Sequence, residues 1–393
     1  MKIFLYFAFN FFSLLFLPIS LFSATNTVNI SIYNDSKPSS VIISPFDGGY
    51  EVKGDDKFIY QLEPKDAIQI ISEDNLIYVK TLNQTLGKFT RLKVIRKQGA
   101  GTFKIKSLIP NTEERVYFGN LSLSVYGKKI KIINHVNIED YISGVVESEA
   151  GTKQNLEYYK VQSIICRTYA LSNLRKHAEE GFHLCDGTHC QVYYSKNRIN
   201  PEITKATEET KGLVIVDSDI NIITAAFHSN CGGQTVNAED VWKYSLPYLK
   251  SVCDTFCTAQ PHASWQKKIP LSNWINYLDK KHNYPVNDSI YLACALNYIP
   301  PPDRNPHLLN TDIPLPLKEM RKDLDLRSTC FSISKIESDS VLITGNGYGH
   351  GVGLCQEGAM KMAERGIPFD KILHYYYTNI HLIDLSLLDF FKD

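Results

Sequence analysis

Along the first third of the chain, apolar and polar residues alternate in short runs such as "TVNISIY" from Thr27 and "AIQIISEDNLIYVKTL" from Ala67, broken by Gly, Asp and Asn. A period of two marks half-buried strands, so residues 25–117 read as a small β-rich domain. The strand pattern continues through "FGNLSLSVYGKKIKIINHVN" (118–137), and the apolar "YISGVV" (141–146) reads as one more strand. The spacing then changes. Val161, Ile164, Ile165, Thr168 and Leu171 recur at helical intervals in "EYYKVQSIICRTYALSNLRKH", which predicts an amphipathic helix. A second helix is expected within "LCQEGAMKMAERG", stopping at Gly366, with Pro368 opening the next segment. Between the two helices, "LVIVDSDINIITAAFHSNCGG" reads as a hairpin feeding a loop. The proline-rich "ALNYIPPPDRNPHLLNTDIPLPLK" reads as an irregular surface connection. No internal repeat or low-complexity tract interrupts this order. The fold class is α+β: a mixed α/β region over 118–385 preceded by the β-rich domain.

The opening "MKIFLYFAFNFFSLLFLPISLFSATN" changes the expected location. Lys2, an apolar run, Pro18 and the small residues Ser23 and Ala24 form an export signal over 1–24, with an uncleaved membrane anchor as the alternative. The expected site of action is the periplasm or cell envelope. The chain of 393 residues carries 42 basic and 42 acidic side chains, and this balance supplies no electrostatic reason to expect nucleic acid as a partner. Its nine cysteines are odd in number, so at least one stays unpaired or binds something.

Three stretches offer chemistry. "GNGYGHGVGLCQEGA" (345–359) places glycine at every second position around His350. It fails the dinucleotide pattern, because the sixth position of each register is His350, Val352, Leu354 or Gln356, and it lacks the G-K-[ST] ending of a P-loop. Glycines at period two suit a backbone that approaches a ligand or another strand closely. A thiol nucleophile, with His350 serving Cys355 or His228 serving Cys231, needs a proximity that sequence does not supply. "NIEDYISGVVESEAG" places Glu139, Asp140, Glu147 and Glu149 around an apolar core. A carboxylic acid that protonates a glycosidic oxygen must be partly desolvated, and the junction of a buried strand and a helix offers that; ordinary solvated acids are the competing reading. "HAEEGFHLCDGTHCQVYYS" offers His177, His183, Cys185, His189 and Cys190, donors that suit Zn²⁺, although the C-x4-C spacing also allows a disulfide. Cys253 and Cys257 form a second close pair with the same two readings.

Taken together, these segments resemble the SpoIID/LytB-type family. "NIEDYISGVVESEAG", "YKVQSIICRTYALSN", "CDGTHCQVY", "AAFHSNCGGQTVNAEDVW", "PYLKSVCD", "MRKDLDLRSTCF" and "GNGYGHGVGLCQEGAMKMAERG" with "ILHYYYTNIHL" stand in family order over about 118–383. The resemblance implies a peptidoglycan lytic transglycosylase. Such an enzyme cuts the β-1,4 bond between N-acetylmuramic acid and N-acetylglucosamine without water, leaving 1,6-anhydromuramoyl ends, and prefers peptide-free strands. It places the catalytic acid at Glu149, on the end of a strand. Were Glu147 to join it on the same strand face, hydrolysis would become possible. The implied zinc ligands are His177, Cys185 and Cys190, with His183 or His189 as substitutes for the imidazole; no organic cofactor is implied. Gln162, Arg167, Gln191, Tyr193, His228, Ser229, His350 and Gln356 match polar family positions and are expected to line the glycan groove. Cys355 and Glu357 stand where the family usually has Ser and Trp. Expected partners are glycan strands and a cell-wall amidase or division protein, in wall remodelling or division. The competing function is a non-catalytic glycan-binding module or modifier of such an amidase.

Overall fold

A computed structural model describes residues 27–387, except 98–100, 195–199, 243, 302–303, 305, 309–311 and 337–338. The leader lies outside the described residues. The first half of the chain supplies β1 (Thr27–Ile32), β2 (Ser40–Asp47), β3 (Tyr50–Gly54), β4 (Lys57–Leu62), β5 (Ile68–Glu73), β6 (Leu76–Lys80), β7 (Thr85–Phe89), β8 (Arg91–Arg96), β9 (Thr102–Ile109), β10 (Arg115–Phe118), β11 (Asn120–Tyr126) and β12 (Lys129–Asn137). They form two sheets. One runs β1–β12–β11–β8–β3–β4, extended beyond β1 by the short strand Leu184–Cys185; the other runs β10–β9–β2–β5–β6–β7. Alternation sets the buried face, as in β12, where Ile130, Ile132, Asn134 and Val136 point inward. Burying an Ile or Val side chain of this kind contributes roughly 2 kcal/mol.

The 117/118 division falls inside β10. Beyond it, β11 pairs with β8 and β12 pairs with β1, so strands on both sides of the division share one sheet. They also share one hydrophobic core, which runs on through the helices that follow.

The stretch expected to be a strand at "YISGVV" is helical: α1 spans Ile138–Ala150. Its β-branched residues imitate a strand, but Tyr141, Ile142, Val145 and Val146 sit at the i, i+1, i+4, i+5 positions of one helical face, and all are buried. The start signal is Asn137, whose side chain accepts from the Glu139 N–H at 2.9 Å, with Glu139 and Asp140 in the first turn. Gly151, at φ 72°, ends the helix by donating its N–H to the Glu147 carbonyl. The following helix, α2 (Leu156–Ser172), matches the sequence expectation in place, but its faces are buried almost all round and it serves as the central element of the core.

Two other expectations change. The expected hairpin forms only as a short turn, Val216 bridging Ile222, and its first strand, Leu213–Val216, pairs over its full length with His381–Asp384 near the end of the described chain. The proline-rich connection is also more than surface. Leu296, Tyr298, Leu308, Leu315 and Leu317 belong to a second core, built on a four-stranded sheet of Ser264–Pro270, Ser340–Asn346, Phe331–Ile336 and Asn297–Tyr298. That sheet matters for position, because its strand Ser340–Asn346 runs directly into the glycine stretch.

Candidate active site and metal centre

Glu149 lies in the last turn of α1, and its Oε1 accepts the Val192 N–H at 2.8 Å. The neighbouring Ser148 hydroxyl donates to the Gly144 carbonyl and accepts the Tyr194 N–H, so segment 191–194 is laid across the end of the helix. Burial raises the Glu149 carboxyl above its ordinary range, and the Val192 N–H opposes this only in part. The negative end of the α1 dipole acts in the same upward direction. Because 138–150 is helical, Glu147 and Glu149 are two positions apart on a helix and point away from each other, contrary to the shared strand face expected from sequence.

Around the acid is a set of buried amides and phenols. The Tyr158 hydroxyl donates to Gln162 Oε1 at 3.1 Å, and Gln162 Nε2 contacts Cys166 Sγ at 3.3 Å. The Glu149 charge is felt at both Tyr158 and Cys166, and Gln356 comes within hydrogen-bonding reach of Tyr158. Tyr141 donates to Gln191 Oε1 at 3.3 Å. Gln191 Nε2 and Gln356 Nε2 are buried and make no well-formed hydrogen bond, their nearest acceptors being Cys166 and Tyr158, so both donors could turn to a stronger acceptor from outside. Tyr158, four positions before Gln162 on α2, was legible by helical spacing; the Val192 N–H, a backbone group, carries no sequence signal.

Other expected wall residues are placed differently. Arg167 is buried and its guanidinium is closed: Nε and Nη2 meet the two Glu139 carboxylate oxygens at 2.9 and 2.5 Å, and Nη1 donates to the Leu213 carbonyl. Tyr193 packs edge-on and tilted against Tyr141 and Tyr117 and donates to Asn134 Oδ1. Both hold the core together. The Ser229 carbonyl accepts from the Glu357 N–H, tying the segment after His228 to the helix Gln356–Glu364.

The period-two glycines serve approach to the protein's own chain. A Cβ on Gly353, where φ is 72°, would stand 2.2 Å from the Ala226 carbonyl oxygen, and one on Gly349 would stand 2.7 Å from His228 Cβ. The stretch packs on residues 226–236, with Phe227–His228 pairing in parallel with Leu354–Cys355. His350 works within this packing. Its Nδ1 accepts from the Val352 N–H at 3.1 Å, a second backbone hydrogen bond reaches Phe227, and burial lowers its pKa to about 4. His228, also lowered by burial, donates from Nδ1 to the Val352 carbonyl, and its buried Nε2 has no partner. Of the two neutral imidazoles, whose rings lie 5.4 Å apart, His228 therefore has the open nitrogen. A cavity of about 260 Å³ lined by Val236, Asn237, Asp240, Ser251 and Arg304 adjoins this wall, and Glu149 is not among its lining residues.

His177, Cys185, His189 and Cys190 bring their ligand atoms within 4.8 Å of one another. Cys190 Sγ lies 3.4 Å from His177 Nε2 and 3.9 Å from His189 Nδ1, and Cys185 Sγ lies 4.0 Å from His189 Nδ1. The Cys190 thiol is lowered to about 6, chiefly by its hydrogen bond with Cys185. The far nitrogen of His177 meets Glu180 at 2.5 Å, the carboxylate support that a metal-bound imidazole commonly has. This donor set fits zinc. His183, the other substitute considered, turns away and accepts from the Asn29 N–H.

The family description "Stage II sporulation protein" matches residues 126–216. An uncharacterised protein of Brachyspira hyodysenteriae is 30% identical over 277 residues, covering 69% of this chain and 73% of its own length. Stage II sporulation protein D of Bacillus subtilis is 29% identical over 277 residues, covering 67% of this chain and 79% of its own. An amidase enhancer of Bacillus subtilis is 27% identical, covering 61% of this chain and 40% of its own. The matched span 126–216 contains α1, α2, Glu149 and the histidine–cysteine cluster, and the chain belongs to the SpoIID family.

Proposed function

We propose that this protein is a cell-wall enzyme, a lytic transglycosylase that cleaves peptidoglycan glycan strands with Glu149 as its acid. The observation that carries this reading is the half-buried Glu149 carboxyl, raised in pKa by desolvation yet held in place by the Val192 N–H. A raised carboxyl retains its proton nearer neutrality and can donate it to the leaving glycosidic oxygen as positive charge develops on the sugar. The carboxylate so formed then takes the proton of the C6 hydroxyl as that oxygen attacks the anomeric carbon. One group acts twice, and no water is consumed. The opposed directions of Glu147 and Glu149 on α1 support this over the paired-carboxylate arrangement of hydrolysis. Gln191, Gln356 and His228, each with a buried nitrogen that makes no well-formed hydrogen bond, suit the acetamido and hydroxyl groups of a neutral glycan.

His177, Cys185, His189 and Cys190 would hold zinc, which would supply a structural crosslink there. Cys190 directly precedes segment 191–194, so a fixed Cys190 would also steady the N–H that holds Glu149. The similarity to the amidase enhancer favours a second reading, a glycan-binding partner of a cell-wall amidase. Export to the envelope is part of both readings; no described helix is long and apolar enough to cross a membrane.

The test is digestion of purified peptidoglycan, with and without stem peptides, by the unaltered protein and by Glu149→Gln. We expect anhydromuramoyl ends by mass spectrometry from the unaltered protein, favouring peptide-free strands, and a loss of about 100-fold or more in the variant. Hydrated reducing ends would replace transglycosylation by hydrolysis. No cleavage of either substrate, with glycan binding retained, would transfer support to the amidase-partner reading.

A further inference from the structure

We propose that Cys231, Cys257, Cys355 and Asp254 form a second metal site, of the thiolate-rich kind that takes zinc, which clamps three chain segments behind the glycine wall. The four ligand atoms lie within 4.8 Å of one another, and all four residues are buried. Cys231 Sγ is 3.3 Å from Cys257 Sγ and 3.4 Å from Asp254 Oδ2, while the Cys231 N–H points to Cys355 Sγ at 3.3 Å. Tetrahedral zinc, with bonds of about 2.3 Å to sulfur, sets its sulfurs roughly 3.8 Å apart, so small side-chain shifts would close this set around an ion.

The carboxylate argues for a cation. Asp254 is fully buried, and the hydrogen bonds it accepts come from neutral groups: the Phe256 N–H on Oδ1 at 2.9 Å, the Tyr376 hydroxyl on Oδ2 at 2.9 Å, and the Cys231 thiol. A buried carboxylate is costly unless it is paired or bound to a metal. The surroundings are also shaped to hold it. A Cβ on residue 358 would stand 2.2 Å from both Asp254 Oδ2 and Tyr376 Oη, and glycine occupies that position. Tyr376 thus acts as an outer support that orients a ligand.

The alternative is a disulfide between Cys231 and Cys257. It would leave Cys355 and the Asp254 carboxylate buried against an uncharged bridge, and it accounts for neither. Three thiols with one carboxylate favour zinc over the oxygen-seeking calcium and magnesium. The ligands come from the segment after His228, the turn at 254–257, and the residue before the helix Gln356–Glu364, so a bound ion would fasten His228 and Gln356 to one point.

The test uses the full chain, reduced, with zinc measured by elemental mass spectrometry and Co²⁺ as the spectroscopic probe. The Cys185→Ser/Cys190→Ser variant removes the thiols of the other cluster. It should retain one metal equivalent, with a tetrahedral Co²⁺ spectrum and strong thiolate charge-transfer absorption. Adding Cys355→Ser, a change of one atom, should weaken Co²⁺ binding at least tenfold and reduce the charge-transfer intensity by about a third. Asp254→Asn should weaken binding and leave that intensity in place, which keeps the test open should the serine variant fail to fold. Failure of the double variant to take up either ion, or a Cys231–Cys257 disulfide in peptides mapped without reduction, would overturn the proposal.

Discussion

Glu149 and the glycine wall are held by opposite means. The acid is placed by side chains and one backbone N–H within residues 138–194, through α1, α2 and the segment that follows them. The wall is placed by backbone-to-backbone approach between 226–236 and 345–355, segments more than a hundred residues apart. Side-chain contacts can relax around a conservative change; a carbonyl 2.2 Å from a new methyl cannot. The two regions should therefore differ in what they tolerate.

The largest effect is expected at Gly353→Ala, which combines a clash with the Ala226 carbonyl and a positive φ; it should cost about 4 kcal/mol or prevent folding. Gly127→Ala is its control, with a similar φ of 62° and nothing within 4 Å of the new carbon, and should cost only about 1 kcal/mol in urea unfolding. Equal losses at the two positions would break the comparison. Next is Arg167→Met, which strands the Glu139 carboxylate and should cost about 3 kcal/mol, part of which Glu139→Leu restores in the double variant. Additive losses in that cycle would show that the pair does not act as a unit.

The smallest effect sharpens the acid side. The folded-state pKa of Glu149 is raised, so its contribution to stability is complete below the unfolded carboxyl value and is lost as pH rises through the raised one. Glu149→Gln should therefore melt higher than the unaltered protein at neutral pH, and the difference should vanish below about pH 4. Cleavage should fall over the same rise in pH, since only the protonated acid can begin the reaction. A melting difference independent of pH would refute the raised carboxyl.

Much of the Glu149 side was legible in the chain. The helical spacing of α2, the acids of 139–149 and the close set His177, Cys185, His189 and Cys190 all lie within one stretch, and short-range spacing constrains which of them can meet. The error there was local: the β-branched residues of "YISGVV" suggested a strand, and the Asn137 cap with its first-turn acids was the stronger signal. The second core was missed because its apolar residues are dispersed through a proline-rich sequence without a period.

The sequence by itself determined which elements could form and which donors stood near each other, because periodicity, caps and glycine positions act over a few residues. It also required that something approach the glycines of 345–353 closely. Only the tertiary structure decided that this something is residues 226–236, that His350 spends both ring nitrogens on backbone while His228 keeps one open, and that Arg167 closes on Glu139. It alone brought Cys231, Asp254, Cys257 and Cys355 together. Such meetings depend on how distant segments pack to exclude water, and no local pattern encodes the choice of partner.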